Sequence, residues 1–170
     1  SDVYKRQSLW LGANLLTAIL AAAAIGLFEA TIEKVVALAI LMPIVASMGG
    51  IAGMQSLALV IRSQALDQIG SSNSRLLIIK EASIGVLNGI LWSTVVAFAV
   101  YLWFNSIFLG IVIASALMIN LIIGAISGVS LPLILSKLKI DPALAGGVIL
   151  TTITDIVGFI SLLGIATLIM

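Results

Sequence analysis

The sequence predicts an all-α integral membrane protein with five transmembrane helices in each subunit. Of its 170 residues, 62% are hydrophobic and only 9% are charged, whereas soluble domains carry about 25% charged residues. The apolar residues form long continuous runs instead of stripes that alternate with polar faces. Runs of this kind indicate helices that cross a lipid bilayer.

Each run is at least as long as the ~20 residues that cross the hydrocarbon layer. We place the spans at about 8–28, 35–61, 83–104, 107–135 and 142–168. The third and fourth come from one uncharged stretch, Ala82 to Ser136, which is too long for one helix and is best divided near Asn105 and Ser106. Pro142 suits the first turn of the last helix, where its missing N–H is not needed.

The basic residues predict the orientation. Five spans put the termini on opposite sides, and a cytoplasmic N-terminus leaves only Lys34 of the eight Lys and Arg residues outside. Such a bias follows the positive-inside rule. We therefore expect an N-in, C-out, multi-pass protein of the cell inner (plasma) membrane. The polar stretch 62–81 then forms a cytoplasmic loop or a short amphipathic segment on the membrane surface.

The composition excludes several classes of function. The chain has no cysteine and no histidine, which removes thiolate and imidazole metal sites, cysteine nucleophiles and histidine-based triads. A net charge of +1 argues against a nucleic-acid partner. We expect no enzymatic activity. Residues 1–7 differ from the rest and resemble a translated adapter sequence, so we expect a non-native leader followed by one transmembrane domain, 8–170.

Asp155 is an ionisable residue near the middle of the last span. A carboxylate at the bilayer centre costs roughly 2.5–3.5 kcal/mol on insertion scales, and such residues usually mark an ion or substrate path. Thr151 and Gly147 precede it at intervals of four and share its helical face. The structural alternative is a buried carboxylate that pairs with Asn120 or Asn88 of a neighbouring helix.

A symmetric site needs a second copy of the chain, because five spans without an internal repeat cannot form equal halves. In a twofold dimer, two Asp155 carboxylates could face each other and carry a charge that one divalent cation would cancel. Carboxylate, hydroxyl and carbonyl oxygens suit Mg²⁺, Ca²⁺ or Mn²⁺. A site with so few carboxylates fits Mg²⁺, which usually retains several waters.

The second span carries a glycine-rich stretch. Gly49 and Gly53 form a GxxxG pair that lets helices approach closely, and packing alone explains this pair. Alternatively, Gly49, Gly50 and Gly53 expose carbonyl groups beside an ion path. Gln55 and Ser56 then supply polar lining towards the cytoplasm.

Two further small-residue pairs, Gly85–Gly89 and Gly124–Gly128, indicate helix packing. Glu81 follows Lys80 at the predicted membrane edge. A surface ion pair between the two is the simpler interpretation, and a position that attracts cytoplasmic cations is the alternative.

Three stretches together resemble the transmembrane domain of the MgtE family of magnesium transporters and channels. They are Met48-Gly49-Gly50-x-x-Gly53-x-Gln55-Ser56, Lys80-Glu81, and Asp141-Pro142-Ala143 followed by Thr151-Thr152-x-x-Asp155-x-x-Gly158. The resemblance extends over essentially residues 8–170.

The resemblance implies a homodimer whose pore lies on the twofold axis and is lined by the second and fifth helices. It implies that Asp155 binds a hydrated or partly hydrated Mg²⁺, with backbone oxygen near Thr151 close by. The expected lining residues are Gly49, Gly50, Ile51, Gly53, Gln55, Ser56, Gly147, Thr152 and Thr154. The sequence departs from the family at Ile51, where many members have Asn, and at Gly146 and Gly147, near which many have Pro.

Family members usually also carry a cytoplasmic N-terminal domain and paired CBS domains, which these residues do not include. We therefore expect a transmembrane domain alone: a fragment, a short member, or the partner of a separate regulatory subunit. The leading hypothesis is Mg²⁺ transport through a dimeric channel-like pore, with Mn²⁺ or Ca²⁺ possible as ions. The alternatives are a Na⁺- or H⁺-coupled divalent cation exchanger and a structural membrane subunit. An aspartyl protease is disfavoured because the Gly-x-Gly-Asp setting is missing.

Overall fold

Residues 1–67 and 73–170 are described by a computed structural model. The helices in these ranges are α1 (Asp2–Gly26), α2 (Glu29–Lys34), α3 (Ala37–Ala65), α4 (Ser74–Phe104), α5 (Ile107–Lys137) and α6 (Pro142–Ile169). Among them, all but the short α2 are long and apolar enough to cross a membrane. For the described residues, the prediction of an all-helical fold with five helices able to cross a membrane is therefore confirmed. Residues 68–72, within the predicted surface loop, lie outside the described residues.

Two helices extend beyond the apolar spans. α4 begins at Ser74 and not near residue 83, because the residues between them are good helix formers and contain no Gly or Pro. Hydropathy identifies only the apolar part of a helix, which matches the thickness of the bilayer, and not its polar extension. α1 likewise begins at Asp2, and the Ser1 hydroxyl caps it by accepting a hydrogen bond from the Tyr4 N–H at 3.3 Å.

The turn between α4 and α5 occupies only two residues. Asn105 ends α4 in the left-handed region, at φ 48° and ψ 45°, a conformation that Asn adopts more readily than most residues. The Ser106 hydroxyl then caps α5 by accepting from the Leu109 N–H at 3.2 Å. Asp141 caps α6 in the same way, through a 3.0 Å bond from the Ala143 N–H.

α5 lies at the centre of the subunit. It packs against α3, α4 and α6, whereas α1 packs against α6. Buried aliphatic side chains from α3, α5 and α6 form the core at one end of the bundle: Leu38, Leu41, Val45, Val112, Ile113, Leu162 and Leu163. This arrangement places α3 and α6 side by side, with α5 behind both.

Glycines bring α3 and α5 into backbone contact. A Cβ atom added to Gly124 would lie 2.6 Å from the carbonyl oxygen of Gly49, and one added to Gly128 would collide with the carbonyl oxygen of Gly53. The obstacle is backbone in both cases, so no side-chain rotation could relieve it. The Gly49–Gly53 pair therefore packs against α5, as the helix-packing interpretation of the GxxxG motif requires.

Substitution of Gly124 by Ala should destabilise the bundle. Its new methyl group would force α3 and α5 apart, and overpacking of this kind costs about 1–3 kcal/mol. We expect Gly124→Ala to lower the Tm of the detergent-solubilised protein by several degrees. Gly12→Ala is the matched control, because no atom lies within 4 Å of the added Cβ on α1. Equal Tm values for the two variants would contradict the proposed packing.

Candidate cation site

Asp155 lies on α6 with its carboxylate unpaired. Its side chain is half-buried, and no described residue forms a hydrogen bond or ion pair with it. In particular, the Asn120 amide donates to the Val45 carbonyl oxygen instead, at 2.9 Å. Asp155 and Asn120 therefore do not pair within the subunit. Thr151, one turn earlier, is exposed.

α3 runs antiparallel to α6 beside Asp155. A Cβ atom on Gly50 would lie 3.7 Å from the Thr154 hydroxyl oxygen, and one on Gly147 would lie 3.7 Å from the Met54 methyl carbon. Contacts of this kind extend over about three turns of both helices. Small residues keep this contact close and leave the flanking side chains uncovered.

The uncovered side chains form one surface, which we call the α3–α6 face. It comprises Ser47, Ile51 and Met54 of α3 together with Thr151 and Asp155 of α6, which flank the contact between the two helices. Ile51 is 57% exposed. An unpaired carboxylate beside a hydroxyl can bind a hard cation through oxygen ligands.

Several predicted lining residues lie inside the subunit instead. Gly49 and Gly53 face α5, Ser56 is bonded to Glu81 on α4, and Thr154 is fully buried. The Thr154 hydroxyl donates to the Leu150 and Thr151 carbonyl oxygens at 3.1 and 3.2 Å.

The remaining predicted residues are nearer the surface. Gln55 is exposed. Gly50, Gly147 and Thr152 are half-buried, and the Thr152 hydroxyl donates to the Val148 carbonyl oxygen at 2.7 Å. The structure thus brings Asp155, Thr151, Gly147, Gly50 and Ile51 to one side of the subunit. A role for the buried residues in lining a path remains a prediction.

The sequence profile of the MgtE family, described as a divalent cation transporter, matches residues 42–165. The chain belongs to the MgtE family. It is 39% identical over 162 residues to a magnesium transporter MgtE of Bacillus subtilis. It is 30% identical to a protein of that name from Thermus thermophilus and 29% identical to one from Enterococcus faecalis, over 161 residues in each case.

These MgtE relatives are longer proteins. Each alignment covers 95% of this chain but only 36% of the relative. The chain therefore spans about a third of the length of the curated MgtE proteins that it matches.

Glu81 is a residue whose position the sequence did not predict. It is only 6% exposed and accepts a 3.0 Å hydrogen bond from the Ser56 hydroxyl. Lys80 is exposed and forms no ion pair with Glu81 among the described residues, so the expected surface ion pair is wrong. One signal was available: Glu81, Gly85 and Gly89 recur every four residues and share the buried face of α4.

Asn120 is the polar residue at the junction of α3, α5 and α6. It is fully buried, and Cβ atoms added to Gly49 or Gly158 would collide with its amide group. Its Nδ2 donates to Val45, while its Oδ1 has no hydrogen-bond partner among the described residues. Asn120 therefore fills the notch that the two glycines leave.

We expect Asn120→Ala to lower the Tm of the purified protein by several degrees. The change removes a buried hydrogen bond, worth about 0.5–1.5 kcal/mol, and also leaves a cavity. Asn14→Ala is the matched control, because Asn14 is exposed on α1 and its side chain makes no hydrogen bond to a described residue. If both variants melt at the wild-type temperature, Asn120 does not hold the three helices together.

Proposed function

We propose that two copies of this chain form a channel-like pathway for divalent cations, with Mg²⁺ as the principal ion. Asp155 of both subunits forms the central ion site in this proposal. The α3–α6 face of each subunit lines the pathway, and Thr151 contributes oxygen beside the carboxylate.

The observation that carries the proposal is the unpaired Asp155 on an open face. Facing lipid, a carboxylate near the bilayer centre costs roughly 2.5–3.5 kcal/mol. Water in a pathway, or a second subunit with a shared cation, removes that cost. The exposed Thr151 and Ser47 beside it favour a hydrated surface over a lipid-facing one.

The proposal requires a dimer because one subunit supplies too few ligands. Among the described residues, no three Asp, Glu, Cys or His side chains lie together so that they could hold a metal ion. Two Asp155 carboxylates related by a twofold axis would balance the charge of one divalent ion. The glycines of the α3–α6 contact hold these two helices of one subunit close together, so that a second subunit can face Asp155 and Thr151 across one surface.

Mg²⁺ is favoured by the ligand chemistry and by the relatives. Mg²⁺ sheds its waters reluctantly and is commonly held through one or two carboxylates with several waters retained. The three matching relatives are named magnesium transporters. The absence of Cys and His from the chain removes the ligands that zinc and copper prefer.

The orientation and location belong to the same proposal. We place the N-terminus in the cytoplasm and the C-terminus outside, in the inner (plasma) membrane, because seven of the eight basic residues then lie on the cytoplasmic side. Residues 8–170 act as one transmembrane domain.

Asp155→Asn should abolish Mg²⁺ flux into proteoliposomes or Mg²⁺-dependent growth of a transport-deficient strain. The amide cannot supply the negative charge that offsets the dehydration of the ion. Asp67→Asn is the matched control: it removes the same charge from an exposed turn after α3, at φ 53°, a conformation that Asn tolerates. This control should retain wild-type flux.

Dimer assembly must be measured in the same variants, by size-exclusion chromatography with light scattering. We expect Asp155→Asn to remain dimeric, so that the loss of flux reports on the ion site. Undiminished Mg²⁺ flux in the Asp155→Asn dimer would refute the proposed site and favour a structural role for this residue.

A further inference from the structure

A second polar site lies away from Asp155, where α3, α4 and α5 meet. A cavity of about 150 Å³ opens there, and its polar lining consists of Gln55, Ser56, Glu81 and Asn88. Glu81 is the one ionisable residue among the described residues that line it. The other three polar side chains are neutral, so Glu81 supplies the only charge among the described residues of this cavity.

The carboxylate of Glu81 is poorly compensated. Its recorded partner is the neutral Ser56 hydroxyl, and no described cation pairs with it. Glu81 and Ser56 are only 6% and 7% exposed. An ionised carboxylate buried without a counter-charge is unfavourable by several kcal/mol, so a cation in the cavity would stabilise the ionised form.

The lining groups have oxygen atoms available for a cation. The Ser56 hydroxyl donates its proton to Glu81 and keeps two lone pairs, and the side-chain amides of Gln55 and Asn88 each offer a carbonyl oxygen. Gln55 and Asn88 are exposed at the mouth of the cavity. They therefore give the carboxylate a polar route to water.

We infer that Glu81, Ser56, Gln55 and Asn88 form a binding site for one monovalent alkali cation, Na⁺ or K⁺, within each subunit. Charge favours the monovalent class. One carboxylate neutralises one positive charge, whereas a divalent ion would leave a net positive charge between the helices. The volume also fits a single ion with a few waters, since a water occupies about 30 Å³ in the liquid.

The cation would hold α4 against α3. Ser56 and Glu81 are bonded across these two helices, and α3 also carries part of the α3–α6 face. This site is separate from the proposed Mg²⁺ site, because it lies within one subunit and requires neither Asp155 nor a dimer.

The test compares the Tm of the purified Asp155→Asn protein in NaCl, KCl and N-methylglucamine chloride at equal ionic strength. This background removes the proposed Mg²⁺ site, so failure of one proposal does not obscure the other. We expect a saturable rise of roughly 2–4 °C in NaCl or KCl over N-methylglucamine chloride. Adding Glu81→Gln, which keeps the shape and removes the charge, should abolish the rise. Adding Glu33→Gln instead should preserve the rise, because Glu33 is exposed on α2 and does not line the cavity.

Equal Tm values in the three salts would overturn the inference, as would a rise that survives Glu81→Gln. Stabilisation by MgCl₂ alone that depends on Glu81 would also overturn it, because the site would then prefer a divalent ion. If Glu81→Gln does not fold, equilibrium dialysis of the Asp155→Asn protein with radioactive Na⁺ and Rb⁺ decides. One bound ion for each chain supports the site, and no binding refutes it.

Discussion

The backbone contact between α3 and α5 is the constraint on which the rest of the structure depends. Gly49 and Gly53 of α3 lie against Gly124 and Gly128 of α5. The helices are so close that a methyl group added to either α5 glycine would collide with a carbonyl oxygen of α3. Asn120 fills the remaining notch and bonds to the α3 backbone. Without a hydrophobic driving force between helices in lipid, close packing and such interhelical hydrogen bonds hold the helices together. The position of α3 is therefore fixed by α5.

Once α3 is fixed, its two other sides acquire different chemistry. On one side it lies against α6, and the exposed residues that flank this contact include the unpaired Asp155. On the other side Ser56 reaches α4 and Glu81, beside a small polar cavity. One helix thus contributes to the proposed divalent site shared by two subunits and to the proposed monovalent site within each subunit. The difference in carboxylate number, two against one, accounts for the difference in ion charge.

Much of the fold could be predicted from composition, because membrane spans depend on local hydropathy and length. The turn at Asn105 and Ser106 could also be predicted, because both residues act locally. Asn105 adopts a left-handed conformation, and Ser106 caps the helix that follows. Asp155 was visible because a charge inside an apolar run needs no partner to be recognised. The burial of Glu81 was not predicted, since it depends on Ser56, far away in sequence. Nor could the sequence show which glycines of the second span face α5. That span carries hydrophobic residues on all of its faces, so no face is marked as the buried one.

In the proposed pathway, Asp155 is half of a site shared by two subunits. The most direct test of that site is the number of Mg²⁺ ions bound to the purified dimer, measured by equilibrium dialysis or calorimetry in wild type and in Asp155→Asn. The difference between the two proteins isolates the ions that depend on Asp155 from any that bind elsewhere. The proposed site predicts a difference of one Mg²⁺ for every two chains. A difference of one for every chain, or no difference, would contradict it.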